Sequence, residues 1–302
     1  VKGITQRVLA INFFLNDIYG EQEIIKHGVM PIDIIQNNPA FLKQMVGFTP
    51  PKKTYNHISG IDLIKTNSDN FYVLEDNVRV PSGASYMIEN RDTMIKLFPD
   101  LISRYKVFEN KNYANNLSEI LKKSSPKKAN RNPNIVLLTP GIYNSAFFEH
   151  AFLADKLGVE LVEGKDLRVI NKYLNMKTIE GWKRVDVIYR RIDDIFLDPL
   201  SFKEDSFLGV PGLMEVYRNK NVTIANAPGT GISDDKSIYS YIPDIIKFYL
   251  GQKPILKNVK TFKCRVKNEL KYVLDNLNKL VIKEVHGSGG YGMLVGPLAS
   301  KT

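Results

Sequence analysis

The sequence predicts a mixed α/β fold, in which a parallel α/β layer is set between two α+β parts. Three observations predict it. Between residues 133 and 230, short apolar strands alternate with helical patterns, the rhythm of a parallel sheet. Before them, Ile61–Gly83 (IDLIKTNSDNFYVLEDNVRVPSG) reads as two strands around a turn-prone Asn-Ser-Asp-Asn run. After them, residues 280–296 read as a strand, a glycine loop and a returning strand.

Residues 4–27 carry helical spacing, with Val8, Ile11, Phe14, Leu15 and Ile18 on one stripe and Gly20 as a terminator. Asp33–Met45 is predicted helical. The hairpin follows, then the Pro81-Ser82-Gly83 turn and a helix over Asn90–Lys106. Residues 123–134, rich in Ser, Pro and Lys, form the clearest linker. Ile135–Thr139 is a fully apolar strand broken by Pro140-Gly141, and Asn144 or Ser145 can cap a helix over Ala146–Leu157. Gly158–Val162, Val185–Tyr189 and Val222–Ala225 complete the layer. Such sheets bind ligands beyond the carboxyl ends of their strands, here Thr139–Ser145, Glu163–Asp166, Arg190–Asp194 and Asn226–Gly231. A helix over Lys236–Leu250, capped by Ser233 or Asp234, precedes the strand Leu280–Lys283. The glycine loop His286–Gly292 and the strand Met293–Gly296 end the pattern. The expected domains are 1–125, 133–230 and 231–302.

With 302 residues, 43% hydrophobic and 25% charged, the chain can build substantial cores. No run approaches the ~18 apolar residues of a membrane span, and no secretory leader is visible. One cysteine, Cys264, excludes a disulfide framework and a multi-cysteine zinc site. A cytoplasmic, reducing setting is expected. The net charge of +10 permits a polyanionic partner, nucleotide or nucleic acid. The densest basic run, Lys122–Lys128, has no interleaved aromatics and reads as a solvated linker. The chain opens at Val1 and stops at Thr302 just past a strand-like segment, as a piece of a longer protein would.

Glu75 and Asn77 are two apart on a strand and therefore share a face. A hairpin brings Asp62 level with them. Three hard oxygen donors on one face suit a Mg2+ that also holds phosphates; an acidic strand end in water is the alternative at this point. Gly287–Gly292 formally fits G-x-G-x-x-G, but a strand follows where the dinucleotide fingerprint needs a helix. A strand, glycine loop, strand unit instead works as a flap whose backbone N–H groups fold over phosphates, with Lys283 on the entering strand. Four glycines in six residues cost backbone entropy, which favours this over a plain surface turn. Gly231 to Lys236-Ser237 fits part of the Walker pattern but has Asp235 where glycine is needed, so that motif is rejected. Lys236 at a helix start opposes the helix dipole, as a lysine facing a bound anion would. No nucleophile elbow appears. Of four scattered histidines, only His286, beside the flap, is a candidate for the site.

These segments resemble the ATP-grasp ligases. Glu75-x-Asn77 with its Pro-Ser-Gly turn is similar to their metal-binding strand, and Asp-Lys236 with Val-Ile-Lys283-x-x-x-Gly-Ser-Gly-Gly-Tyr-Gly to their two-lysine and glycine-flap half. Here the metal strand comes first, so the order is permuted. QRVLAINFFLNDIYGEQ, VLEDNVRVPSGASYMIENR, LTPGIYNSAFFEHAFLADKLGVELVEGKDL, VDVIYRRIDDIFLDP and GVPGLMEVYR resemble the circularly permuted ATP-grasp family related to glutathionylspermidine synthase. The resemblance implies a circularly permuted ATP-grasp with an inserted parallel layer like the pre-ATP-grasp domain. It implies ATP and Mg2+ as cofactors, and small-molecule or peptide carboxylate and amine substrates, with neither nucleic acid nor membrane as partner. Asp62, Glu75 and Asn77 would hold Mg2+. Lys236 and Lys283 would contact phosphates, with Ser288, Gly289, Gly290, Tyr291 and Gly292 closing over them. Arg79 and Arg191 would face the acyl phosphate or the acidic substrate. In the family further sequence follows the flap and includes the hinge that clasps adenine; it would lie beyond Thr302. The function expected is an ATP-dependent carboxylate–amine ligase acting through an acyl phosphate. An inactive nucleotide-binding scaffold and a nucleic-acid-binding protein are the alternatives; steeply salt-dependent binding would mark the latter.

Overall fold

A computed structural model gives the fold and describes residues 1–66, 70–105, 107–287 and 292–299. In chain order its strands are β1 (Gly60–Lys65), β2 (Phe71–Asn77), β3 (Ile135–Leu138), β4 (Glu160–Val162), β5 (Leu167–Ile170), β6 (Tyr173–Thr178), β7 (Gly181–Arg184), β8 (Val187–Arg190), β9 (Thr223–Ala225), β10 (Lys257–Asn258), β11 (Val281–Lys283) and β12 (Met293–Val295). The chain divides into two compact units. The first is Val1–Val46, Ser59–Val78 and Gly229–Thr302; the second is Gly47–Ile58 and Arg79–Pro228.

In the first unit, β1 and β2 form an antiparallel hairpin, β10 joins β2 in parallel, and β11 and β12 pair as a separate hairpin. The helix Lys2–Ile18 buries Ala10, Ile11, Phe14, Leu15 and Ile18 on its apolar stripe. It stops at Ile18 rather than running to residue 27. Asp17 accepts hydrogen bonds from the N–H groups of Glu23 (2.8 Å) and Ile24 (2.9 Å), which starts a short separate helix at Glu23–Lys26. The helix predicted over Asp33–Met45 is confined to Ile32–Gln36, with one 3-10 turn at Lys43–Met45. Pro39 is the reason, since it disfavours helical backbone at Asn38 and has no N–H to donate. The helix expected over Lys236–Leu250 is two, Lys236–Tyr239 and Ile242–Leu250, with Pro243 in the first turn of the second.

In the second unit the predicted parallel layer is present, with strand order β4-β3-β8-β9 and every pairing parallel. Its core joins Ile135 and Leu137 of β3, Val187 and Tyr189 of β8, Leu153 of the helix Phe147–Leu157, and Leu117 and Leu121 of the helix Tyr113–Lys123. Residues 79–125, expected with the amino-terminal domain, cluster with the parallel layer. The helix expected at Asn90–Lys106 begins earlier, at Ala84, and ends at Leu97, where Pro99 starts a second short helix, Pro99–Arg104. The antiparallel meander β5-β6-β7, inserted between β4 and β8, is absent from the sequence expectation. No helix among the described residues is long and apolar enough to cross a membrane.

Candidate functional site

The predicted hairpin forms with Asp62 directly opposite Glu75 and Gly60 opposite Asn77, and a bulge follows Asp62. Asp62, Glu75 and Asn77 therefore belong to one face of the sheet. Asp76 points the other way and is 1% exposed. Both its oxygens accept from Arg7, at 2.6 Å from Nε and 2.6 Å from Nη2, and Arg7 Nη1 donates to Asn258 of β10 at 2.7 Å. This buried bidentate pair pins the strand that carries Glu75 to the amino-terminal helix. Sequence reasoning passed over it, although a signal exists: Arg7 precedes Ala10, Ile11 and Phe14 at helical spacing. A charge on a buried stripe requires a buried partner.

The lysine half assembles through backbone and side-chain bonds. Asp235, rather than Ser233 or Asp234, caps the helix Lys236–Tyr239, accepting from Ser237 N–H at 2.8 Å. Its other oxygen meets His286 Nδ1 at 2.5 Å. Lys236 N–H donates to the Val285 carbonyl at 3.2 Å, and Lys236 Nζ donates to the Gly287 carbonyl. Asp234 accepts from Val78 N–H, one residue past β2, at 2.7 Å. Lys283 stands opposite Met293 on the second hairpin. Thus the Asp234-Asp235-Lys236 run ties the end of β2 to the entry of the glycine loop. Gly292 is left-handed, with φ of 64°. Ser288, Gly289, Gly290 and Tyr291 lie outside the described residues.

Glu75, Lys236 and Lys283 line one cavity of about 830 Å³ in the first unit. Scaled from a 150 Å³ cavity that takes benzene, it has room for roughly 30 non-hydrogen atoms, the size of a nucleoside triphosphate. Among the described residues its wall carries six cationic side chains (Lys236, Lys260, Lys263, Arg265, Lys279, Lys283) against three carboxylates (Glu75, Asp76, Asp234). Asp76 is already neutralised by Arg7. The field therefore favours a polyanion. Leu74, Val259, Phe262, Ile282 and Val295 supply an apolar part suited to a flat ring.

Asp62 and Asn77 adjoin Glu75 on its face but are not part of the cavity wall. Among the described residues no group of three His, Cys, Asp or Glu side chains is placed to hold a metal. Mg2+ does not need one, since it commonly takes one or two carboxylates and completes its shell with water and phosphate oxygens. Two carboxylates and an amide on one face fit that donor set.

Both predicted arginines belong to the second unit. Arg79 Nε lies 3.5 Å from Asp193, both partly exposed. Arg191 is buried. Its Nη2 donates to Glu149 at 2.7 Å and its Nη1 to the Pro81 carbonyl at 2.6 Å. Glu149 also accepts from Gly83 N–H (2.7 Å), Ser85 N–H (3.1 Å) and Ser85 Oγ (2.9 Å). The ends of the Arg191 guanidinium are thus committed to a pair that orders the Pro81-Ser82-Gly83 turn.

A cation-lined cavity flanked by a carboxylate-bearing strand and a lysine-bearing hairpin agrees with an ATP-grasp architecture. The chain matches the model of "a circularly permuted ATPgrasp" over residues 1–302 and belongs to that family. An uncharacterised protein of Synechocystis sp. is 51% identical over 299 residues, covering 99% of this chain and 62% of its own length. An uncharacterised Mycobacterium tuberculosis protein is 49% identical over 300 residues, covering 99% of this chain and 54% of its own. A Frankia casuarinae protein named as a candidate glutamate–cysteine ligase is 38% identical over 299 residues, covering 98% and 34%. The chain therefore spans 62% of the length of the first of these relatives and 54% of the second.

Proposed function

We propose that the protein containing this chain is an ATP-dependent carboxylate–amine ligase acting through an acyl phosphate. One observation carries the reading: Glu75, Lys236 and Lys283, from three separated segments, line a single cavity of triphosphate size. The family and the ligase name of the Frankia relative support the reaction class.

In this reading a substrate carboxylate oxygen attacks the γ-phosphorus of ATP. The bond to ADP breaks, and an acyl phosphate forms. An amine nitrogen then attacks the acyl carbon, phosphate leaves, and the nitrogen loses a proton. Lys236 and Lys283 would neutralise charge as it builds on the bridging oxygen that leaves with ADP. Asp62, Glu75 and Asn77 would hold Mg2+, which when bound supplies further neutralisation of the phosphate oxygens. The Ser288–Gly292 flap would exclude the water that hydrolyses an acyl phosphate. Arg79 would face the acyl phosphate or the acidic substrate. Arg191, tied to Glu149 and the Pro81 carbonyl, orders the Pro81-Ser82-Gly83 turn.

The test is ADP release by the full-length protein given candidate acids and amines. Glu75→Gln should lose at least about a hundredfold of the rate, as loss of a site group in phosphoryl transfer does. Unchanged ADP release in that variant removes Glu75 from the mechanism. Nucleotide binding without any ADP release would support the inactive scaffold instead.

A further inference from the structure

The second unit holds a separate cavity of about 230 Å³. Its position follows from topology. From β3 the chain moves outward to β4, then returns past β3 to β8, so the strand order reverses between β3 and β8. A crevice opens beyond the carboxyl ends of strands at such a reversal. The wall is built there, from Pro140 just after β3, Arg191 and Asp193 just after β8, and Asn144, Ala146 and His150 at the start of the helix Phe147–Leu157.

The wall has two polar ends. On one side stand Arg191, whose Nη2 pairs with Glu149 at 2.7 Å, and the amino-terminal, positive end of an 11-residue helix. Arg191 is buried, and its Nε–H has no acceptor among the described residues. On the other side stands the partly exposed carboxylate of Asp193, 3.5 Å from Arg79 Nε. His150 bonds to Thr139 Oγ1 at 2.9 Å; burial, and then the nearby Arg191 charge, lowers its pKa to about 4. At neutral pH it adds hydrogen-bonding capacity without charge. By the benzene scaling the space suits a ligand of about nine non-hydrogen atoms, far smaller than a nucleotide.

We propose that this cavity binds a free α-amino acid as its zwitterion. The carboxylate sits toward Arg191 and the helix start, and the ammonium toward Asp193. The proposal rests on the ligase reading only for the amino acid's fate as a reactant; the binding itself does not.

The test is calorimetric titration of the full-length protein, without nucleotide, with each of the twenty common L-amino acids, and with propionate and ethylamine as the two half-ligands. At least one amino acid should bind at least ten times more tightly than either half-ligand. Ala146→Leu, which fills the space, should weaken that binding at least tenfold. Asp193→Asn should weaken it similarly while leaving propionate unchanged. Both variants should keep the parent's unfolding temperature and its affinity for ADP with Mg2+. If no amino acid binds, or if both variants bind as the parent does, the proposal is overturned. Retention of ADP binding in that case leaves the ligase reading standing. Amino-acid binding by a protein that does not bind ADP would sink the ligase reading and leave this site intact.

Discussion

Adjacent residues of one strand should respond in opposite ways to the loss of a charge. Glu75 and Asp76 are neighbours on β2 and point to opposite faces. Glu75 is half-buried at the cavity, whereas Asp76 is 1% exposed and engages Arg7 through two bonds of 2.6 Å. Asp76→Asn leaves the Arg7 guanidinium buried without a counter-charge, a change that costs about 3–5 kcal/mol. Glu75→Gln leaves no buried charge unpaired and should stay within about 0.5 kcal/mol of the parent. With a urea slope of about 2–3 kcal/mol/M for a unit of this size, Asp76→Asn should lower the midpoint by about 1–2.5 M and Glu75→Gln by less than about 0.3 M. The assay is urea unfolding of both variants, followed by circular dichroism, beside nucleotide binding of the folded protein. A folded, fully stable Asp76→Asn together with an unfolded Glu75→Gln would refute the division of labour drawn here.

Cys264 is exposed and borders the large cavity. ATP with Mg2+ at a hundredfold excess over Kd should slow its alkylation by up to about a hundredfold; an unchanged rate argues that nucleotide binds elsewhere. His57 and His150 are both held near pKa 4, chiefly by burial. The unfolded chain, with histidine pKa near 6.5, therefore binds more protons between pH 6.5 and 4. The stability they contribute is complete above pH 6.5 and is lost as pH falls toward 4. Urea midpoints in His57→Asn and His150→Gln should accordingly fall less between pH 7 and 5 than the parent's. Gly229 has φ of 89°, and a Cβ there would lie 2.6 Å from the Tyr19 hydroxyl, which itself donates to the Gly229 carbonyl at 2.9 Å. Gly229→Ala should cost about 1–3 kcal/mol, read as a lowered urea midpoint.

The elements that carry the proposed chemistry were the most legible ones. Two apolar runs around a turn-prone Asn-Ser-Asp-Asn run gave the hairpin, whereas the bulge after Asp62, which breaks the two-residue period between Val73 and Glu75, left no mark in the sequence. The fully apolar β3 and the mostly apolar β8 gave the parallel layer. Helix ends were misjudged where Pro39, Pro99 and Pro243 act, since apolar spacing continues through residues that cannot continue the helix. The meander β5–β7 has strands of four to six residues with mixed exposure, too short for a clear period. The helix Tyr113–Lys123 does carry Tyr113, Leu117 and Leu121 at helical spacing, behind an Asn-rich first turn that masks it. Within the site, Lys236 and Lys283 announced themselves through sequence neighbours. The partnerships of Arg7 with Asp76 and of Arg191 with Glu149 join residues 69 and 42 positions apart and emerge only in three dimensions.

The proposed ligase requires Glu75, Lys236 and Lys283, which line one cavity, to hold a triphosphate there. Titration calorimetry of the full-length protein with a non-hydrolysable ATP analogue and Mg2+ tests this most directly. Lys236→Ala and Lys283→Ala should each weaken binding at least tenfold, and Glu75→Gln should remove its dependence on Mg2+. Equal affinity in the parent and all three variants would contradict the account.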